Sequence, residues 1–306
     1  MAFLKLLENI RNPVLDTFFS IVTHFGEETL FILIGLIFFW CVNKKQGYYI
    51  LFMGFVGTII NQFLKLWFRI PRPWVKDPNF TIVESARAEA TGYSFPSGHT
   101  QTVTNTFGGI ARMRAEKWLR ITSIIICVLV PLSRMYLGVH TPLDVGVSLG
   151  IGLVMVFALY PVFNHAIEKP CCMRCVLLVM TLLSAGYLLF VNLYNFPQDI
   201  DVNNFESGVK NGYKILGCVL GMWLTYEVDT KFTKFETDAP VLGQILKVIL
   251  GIIPVFLVKT LLKPLLYALC NGSFAADGIR YFLIAVTAGV IWPLTFKFFA
   301  KIGKKA

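Results

Sequence analysis

The stretch VGVSLGIGLVMVFALYPVFN, residues 145–164, carries no acidic or basic side chain, and its reading decides the fold. A helix of roughly 20 residues covers about 30 Å, the thickness of a bilayer's hydrocarbon core. Two further runs, QGYYILFMGFVGTIINQFL at 46–64 and CVLLVMTLLSAGYLLFVNLYNFPQ at 175–198, are equally free of charge. One such run fits a buried core helix, but several in a chain of 306 residues cannot share one soluble core. Composition agrees: 56% of residues are hydrophobic, 15% are charged, and the mean hydropathy is +0.65. Lipid offers no partner to a backbone N–H or C=O, so spanning segments must pair these groups within helices. The expected fold is an all-α, polytopic membrane helix bundle.

Working outward from these runs gives nine expected membrane helices, near 28–43, 46–69, 98–113, 117–136, 142–164, 173–196, 211–227, 241–265 and 279–299. Lys247 and Lys259 interrupt the eighth. Trp40, Trp67, Trp118, Trp223 and Trp292 fall towards helix ends, where an aromatic belt would place them. Alternate loops hold Lys44 and Lys45; Arg112, Arg114, Lys117 and Arg120; Lys169 and Arg174; Lys231 and Lys234; then Lys301, Lys304 and Lys305. The positive-inside rule puts these in the cytoplasm. The loops near 70–97 and 134–141 then face outward, with the stretch holding Asp199, Asp201 and Glu206. The cell (plasma) membrane is the expected location.

Several other features carry little. The net charge of +10 sits in short loops rather than on one face, so nucleic-acid binding is excluded. Seven scattered cysteines imply no disulfide framework, and the CxxC of Cys172 and Cys175 lacks a second ligand pair. No removable signal peptide is evident at the N-terminus. Residues 12–26 read as a short amphipathic helix along the membrane interface. The glycine pairs Gly146/Gly150 and Gly217/Gly221 fit close helix packing in lipid.

Chemistry concentrates in three outward segments: Lys65 to Arg72-Pro73; Pro96-Ser97-Gly98-His99; and Ser133-Arg134 to His140 and Asp144. Transfer of a phosphoryl group spreads negative charge over three equatorial oxygens, so catalysis is mostly positioning and electrostatics. Lys65, Arg72 and Arg134 supply three positive charges, and arginine's fork matches phosphate oxygens in pairs. Lys65 and Arg72 are seven apart and share a face if their helix persists to about Pro71. Ser97-Gly98 opens a helix, whose unpaired N–H groups attract anions, and a glycine there permits close approach. His140 precedes a helix expected to start with Thr141 as N-cap and Pro142 at its first position. Asp144, one turn on, can hold one imidazole nitrogen and leave the other free for attack. His99 remains as general acid for the leaving oxygen. His24 and His165 read as interfacial, and Glu84 and Glu89 as solvated loop residues that could touch a head group.

Together these segments resemble the signature of the type 2 phosphatidic acid phosphatase superfamily, membrane lipid phosphatases related to vanadium haloperoxidases. That signature is Lys, six residues, Arg-Pro; Pro-Ser-Gly-His; then Ser-Arg, five residues, His, three residues, Asp. All three blocks match without departure, and the likeness covers roughly residues 20–165. It implies His140 as nucleophile, Asp144 as its orienting partner and His99 as general acid. Lys65, Arg72, Ser97, Gly98 and Arg134 would hold the phosphate. It implies a metal-independent reaction with no cofactor and a membrane lipid phosphate as substrate. The expected organisation is an interfacial segment at 1–27, a catalytic transmembrane core at 28–168, and further transmembrane helices at 169–306.

The leading reading is hydrolysis of a phosphate monoester or diphosphate on a lipid at the outer membrane face. Candidates are a polyprenyl diphosphate, phosphatidate or phosphatidylglycerophosphate, and a sphingoid phosphate. A lipid phosphotransferase would use the same site with another acceptor. A lipid-phosphate transporter would need only the cations, and would leave His140, Asp144 and His99 without a purpose.

Overall fold

The computed structural model describes residues 1–302, so Lys304 and Lys305 lie outside the described residues. Those residues form helices and connecting turns, with no strand among them. The helices are α1 Ala2–Asn9, α2 Pro13–Thr23, α3 Glu28–Ile37, α4 Lys44–Phe68, α5 Pro73–Lys76, α6 Gly98–Val103 and α7 Gly109–Met113. There follow α8 Lys117–Tyr136, α9 Pro142–Ala166, α10 Pro170–Leu193, α11 Val202–Val228, α12 Val241–Leu269, α13 Ala275–Val286 and α14 Phe296–Phe299. A wide π-type turn at Thr104–Gly108 joins α6 to α7.

A helix stands at each of the nine expected places. Six segments among the described residues are long and apolar enough to cross a membrane, and a bent pair, Pro13–Gly26 with Glu28–Val42, makes a seventh if counted as one span. The 98–113 helix is too short to cross alone. The helix expected at 211–227 begins earlier, at Val202, and carries Glu206, Lys210, Lys214 and Glu227. The protein is an integral membrane protein.

Two compact units emerge: Met1–Leu33, Tyr49–Asn164 and Phe196–Gly208 in one, and Ile34–Tyr48, His165–Asn195 and the chain from Val209 in the other. In the first, α4 locks onto the 98–113 helix through buried amides. Asn61 Nδ2 donates to Gln101 Oε1 at 2.9 Å, Gln101 Nε2 to the Gly57 carbonyl at 3.1 Å, and Asn105 Nδ2 to the Met53 carbonyl at 3.1 Å. In a hydrocarbon-like interior each unpaired amide would carry a desolvation penalty, so this ladder fixes the register between the two helices. Nearby, Tyr49 packs edge-on to Tyr160 with ring centroids 5.3 Å apart.

In the second unit, a Cβ on Gly217 would fall 2.1 Å from the Gly278 carbonyl oxygen, and one on Gly221 would fall 2.5 Å from Ala285 Cβ. This is the expected close packing, here between α11 and α13. At Gly146 and Gly150 no described residue lies within 4 Å of such a Cβ, so among the described residues that pair does not pack closely. Trp40 also departs from the aromatic-belt expectation: it is fully buried and donates to the Ala288 carbonyl at 2.9 Å. Trp67 and Trp118 are exposed, as a belt requires. α12 runs unbroken to Leu269 because Lys247 is not a surface interruption. Its Nζ is buried, donating to the Trp40 and Thr237 carbonyls at 2.9 and 2.7 Å.

Candidate active site

The site is built on the start of α9. Thr141 Oγ1 accepts from the Asp144 N–H at 3.3 Å, and Asp144 Oδ2 accepts from the Thr141 N–H at 2.7 Å. This reciprocal pair is a capping box with aspartate as the acid. It satisfies two end groups of the helix and fixes the carboxylate before any other partner is considered. Ser94 Oγ donates to the same Oδ2 at 2.6 Å, and the Ser97 N–H donates to the Asp144 carbonyl at 3.2 Å. The Pro-Ser-Gly-His turn is thereby tied to α9. Ser97 caps α6, its Oγ accepting from Thr100 Oγ1 at 3.0 Å, so it serves helix and turn together.

His140 is buried on the turn between α8 and α9. Gly138, at φ 84°, makes that turn, in a conformation that disfavours any side chain with a Cβ. His140 Nε2 lies 2.9 Å from Arg72 Nη1, and Nδ1 lies 3.6 Å from Asp144 Oδ2. Guanidinium has no acceptor, so Nε2 must offer its lone pair and the ring proton must sit on Nδ1, towards Asp144. The 3.6 Å gap is slightly too long for a hydrogen bond. Burial first, then the charge of Arg72, hold this imidazole well below its usual range, outweighing the opposite pull of Asp144. At neutral pH His140 is uncharged with an available lone pair.

Arg72 arrives by an unexpected path. α4 ends at Phe68, and Arg69 takes a left-handed φ of 49°. Ile70 precedes Pro71 and Arg72 precedes Pro73, and a residue before proline avoids the helical region. The shared helical face expected of Lys65 and Arg72 therefore does not exist. Instead, Arg72 is held in the loop by the Gly92, Thr91 and Val139 carbonyls at 3.1, 2.8 and 3.0 Å. Lys65, on the last turn of α4, donates to the Tyr93 carbonyl. Both are buried.

Arg134, on the last turn of α8, is fully buried. Its Nη1 donates to Thr23 Oγ1 at 2.7 Å, while Nε and Nη2 are buried without a hydrogen-bond partner among the described residues. The charges of Arg72, Arg134 and Lys65 all bear on His140. Immediately around His140 three cations meet one carboxylate, Asp144, while the charges of Glu89 and Glu27 also bear on Arg134. Such a pocket is suited to an anion with several oxygens.

His99 sits on the first turn of α6, behind Gly26. A Cβ on Gly26 would stand 2.8 Å from His99 Cβ and 2.9 Å from the His99 carbonyl oxygen, so glycine lets the first turn of α6 approach there. His99 Nε2 faces Glu89 Oε2 at 3.7 Å, and both atoms lack a hydrogen-bond partner among the described residues. The other oxygen of Glu89 lies 3.5 Å from His24 Nδ1, which also bonds Glu27. His24, Glu27 and Glu89 offer ligand atoms within 4.8 Å of one another, the one such group among the described residues. Room for a side chain is greater at Gly98, where a Cβ would lie 3.6 Å from Asn61 Oδ1.

Comparison with known proteins gives the family. The PAP2 superfamily model matches residues 46–168, and a model described as the PAP2 superfamily phosphatase transmembrane extension matches 213–305. Phosphatidylglycerophosphatase B of Bacillus subtilis is 30% identical over 181 residues, covering 55% of this chain and 84% of that protein. The chain belongs to the PAP2 superfamily. An undecaprenyl-diphosphatase of Sulfolobus acidocaldarius is 27% identical over 46% of this chain and 67% of its own length. A dihydrosphingosine 1-phosphate phosphatase of Schizosaccharomyces pombe is 24% identical, but over 90% of this chain and 69% of its own. No solved structure matches significantly.

Within this PAP2 phosphatase, several neighbours of the motif residues escape a sequence reading. Ser94 and Thr23 are ordinary hydroxyl residues, and Thr23 meets Arg134 across 111 positions of chain. Gly26 carries no motif. Glu89 is one acid in a polar loop, and only the folded chain turns it towards His99.

Proposed function

We propose that this PAP2 phosphatase hydrolyses a terminal phosphate, as monoester or diphosphate, from a membrane lipid through a phosphohistidine at His140, without a metal ion. The observation that carries this is the His140 lone pair at Nε2, capped by Arg72, beside an Arg134 fork with two unpaired donors. An arriving phosphate competes for Arg72 Nη1 and frees Nε2 to attack phosphorus. Asp144 steadies the Nδ1 proton as positive charge develops on the ring. Lys65, Arg72 and Arg134 stabilise the equatorial oxygens, and Ser97 and Gly98 present the start of α6 to them. His99 protonates the leaving oxygen, then takes a proton from the water that cleaves the P–N bond.

The relatives are named for phosphatidylglycerophosphate, undecaprenyl diphosphate and dihydrosphingosine 1-phosphate. Their common chemistry, a phosphate at the water-facing end of a lipid, is the class proposed here. In this reading residues 28–168 perform the chemistry on the outer face of the plasma membrane. Residues 1–27 lie at the interface and contribute Thr23, and 169–306 add membrane helices. The test is phosphate release from a panel of polyprenyl diphosphate, phosphatidate, phosphatidylglycerophosphate and sphingoid phosphate by purified protein, with and without EDTA. Turnover of at least one lipid, unchanged by EDTA and abolished in His140→Ala, is expected. Loss of activity on chelation, restored by magnesium, would overturn the metal-free mechanism.

A further inference from the structure

His99 must carry a proton to serve a leaving oxygen, yet its surroundings oppose a charge on it. Burial first, then Arg134 on α8 and Arg72 in the loop after α4, act against an imidazolium there, and the opposite pull of Glu89 does not fully offset them. The groups on the other side are Glu89, from the loop before α6, with His24 and Glu27 beyond it. Glu89 Oε2 lies 3.7 Å from His99 Nε2, with both side chains largely covered, at 31% and 15% exposed. Neither atom has another hydrogen-bond partner among the described residues. Two buried polar atoms left open towards each other, in a pocket otherwise rich in cations, are costly unless the pair shares a proton.

From this geometry we infer that Glu89 is a positioning residue for proton transfer, favouring a proton on His99 against the nearby cations and turning the ring so that one N–H is free for the leaving group. The inference rests on the lipid-phosphatase reading above. With Nε2–H directed at Glu89, the imidazolium presents Nδ1–H to the substrate. As His140 Nε2 bonds to phosphorus, the bond from phosphorus to the leaving oxygen breaks and its electron pair goes to that oxygen. The oxygen takes the Nδ1 proton, and His99 becomes neutral. Water then attacks phosphorus, the P–N bond breaks with its electrons returning to Nε2 of His140, and Nδ1 of His99 takes the water's proton. Glu89 remains a carboxylate throughout. Its carboxyl is held down at about 2, chiefly by the neighbouring His99 imidazole, so it is ionised near neutral pH. An adjacent anion favours the charged form of a histidine, typically by about 1–3 pH units at this range.

The experiment compares wild type, Glu89→Gln, Glu89→Asp and the loop control Glu84→Gln. Two substrates are used, an alkyl lipid phosphate with a poor leaving group and nitrophenyl phosphate with a good one. For Glu89→Gln we expect the alkaline limb of the kcat profile to move about 1–3 units lower. The alkyl substrate should lose about tenfold or more beyond the loss for nitrophenyl phosphate, because general-acid assistance matters least where the oxygen leaves readily. Glu89→Asp should recover part of both effects, and Glu84→Gln should match wild type. If Glu89→Gln does not fold, the limb position and leaving-group ratio of Glu89→Asp decide instead. An unmoved limb with equal losses for both substrates overturns the role of Glu89 while leaving the phosphatase reading intact. That reading fails separately, if wild type releases no phosphate from any lipid or His140→Ala retains turnover.

Discussion

Both units bury ionic side chains, but two buried carboxylates of one are bonded to cations, while the buried cations of the other bond no carboxylate among the described residues. In the chain from Val209, Asp277 is fully buried and accepts from Arg280 and, at 2.5 Å, from Tyr267 Oη. Asp229 accepts from Lys44 Nζ at 2.8 Å, Thr233 Oγ1 at 3.1 Å and the Phe235 N–H at 3.1 Å. In the unit holding His140, the buried Lys65, Arg72 and Arg134 bond to no carboxylate among the described residues, and Arg134 keeps two donors unpaired. A buried charge without a partner costs stability, so the first arrangement serves the fold, and the second suits the proposed ligand that brings negative charge. Chemistry and topology thus use the same residue types at opposite stability cost.

That contrast can be broken by replacing one arginine in each unit. Arg134→Met should lower kcat/KM by about 10²–10³-fold, the effect of removing donors to a developing oxyanion. The melting temperature should stay level or rise, because the change removes an underpaired charge. A clear drop in melting temperature with activity retained would make Arg134 structural instead. Next in size, Gly26→Val should cost about 10²-fold in kcat, since a Cβ there must push His99 away and misplacement of about 1 Å costs that much. Retention of full activity would show that His99 tolerates displacement.

The pH profile sharpens the comparison further. Because Arg72 helps hold His140 below its usual range near 6.5, the wild-type acid limb of kcat/KM should fall below that value. An adjacent cation disfavours imidazolium, so Arg72→Gln should raise the His140 pKa and move the acid limb upward by about 1 unit or more. Movement in the other direction would contradict the part given to the Arg72 charge in keeping His140 neutral. The smallest effect on catalysis belongs to Arg280→Met, which strands Asp277. It should cost about 3–5 kcal/mol of stability, read as a lower melting temperature, with kcat of the folded fraction within about twofold. A large fall in kcat would give the second unit a catalytic part.

Much of this was legible in the sequence for a simple reason: uncharged runs of membrane length and a motif carried in order along the chain are local signals. The helix starts at Thr141 and Ser97 follow from the same local chemistry. What stayed hidden depends on tertiary approach. Lys65 and Arg72 share a pocket through a loop bent by two prolines, not through helical spacing. Trp40 and Lys247 read as interfacial or disruptive because nothing in a linear chain shows that the lysine meets the Trp40 carbonyl. Gly146 and Gly150 have the spacing of a packing motif but no neighbour within 4 Å of either Cβ position. Glu89 becomes chemically meaningful only beside His99.

The most direct measurement is a rapid acid-free quench of purified protein mixed with a lipid bearing a radiolabelled terminal phosphate, followed by peptide mapping. The label should appear on protein within the first turnover, survive alkali but not acid as a phosphoramidate does, and map to His140. It should vanish in His140→Ala. Turnover by a competent enzyme with no label on His140, or with label on another residue, would contradict the account.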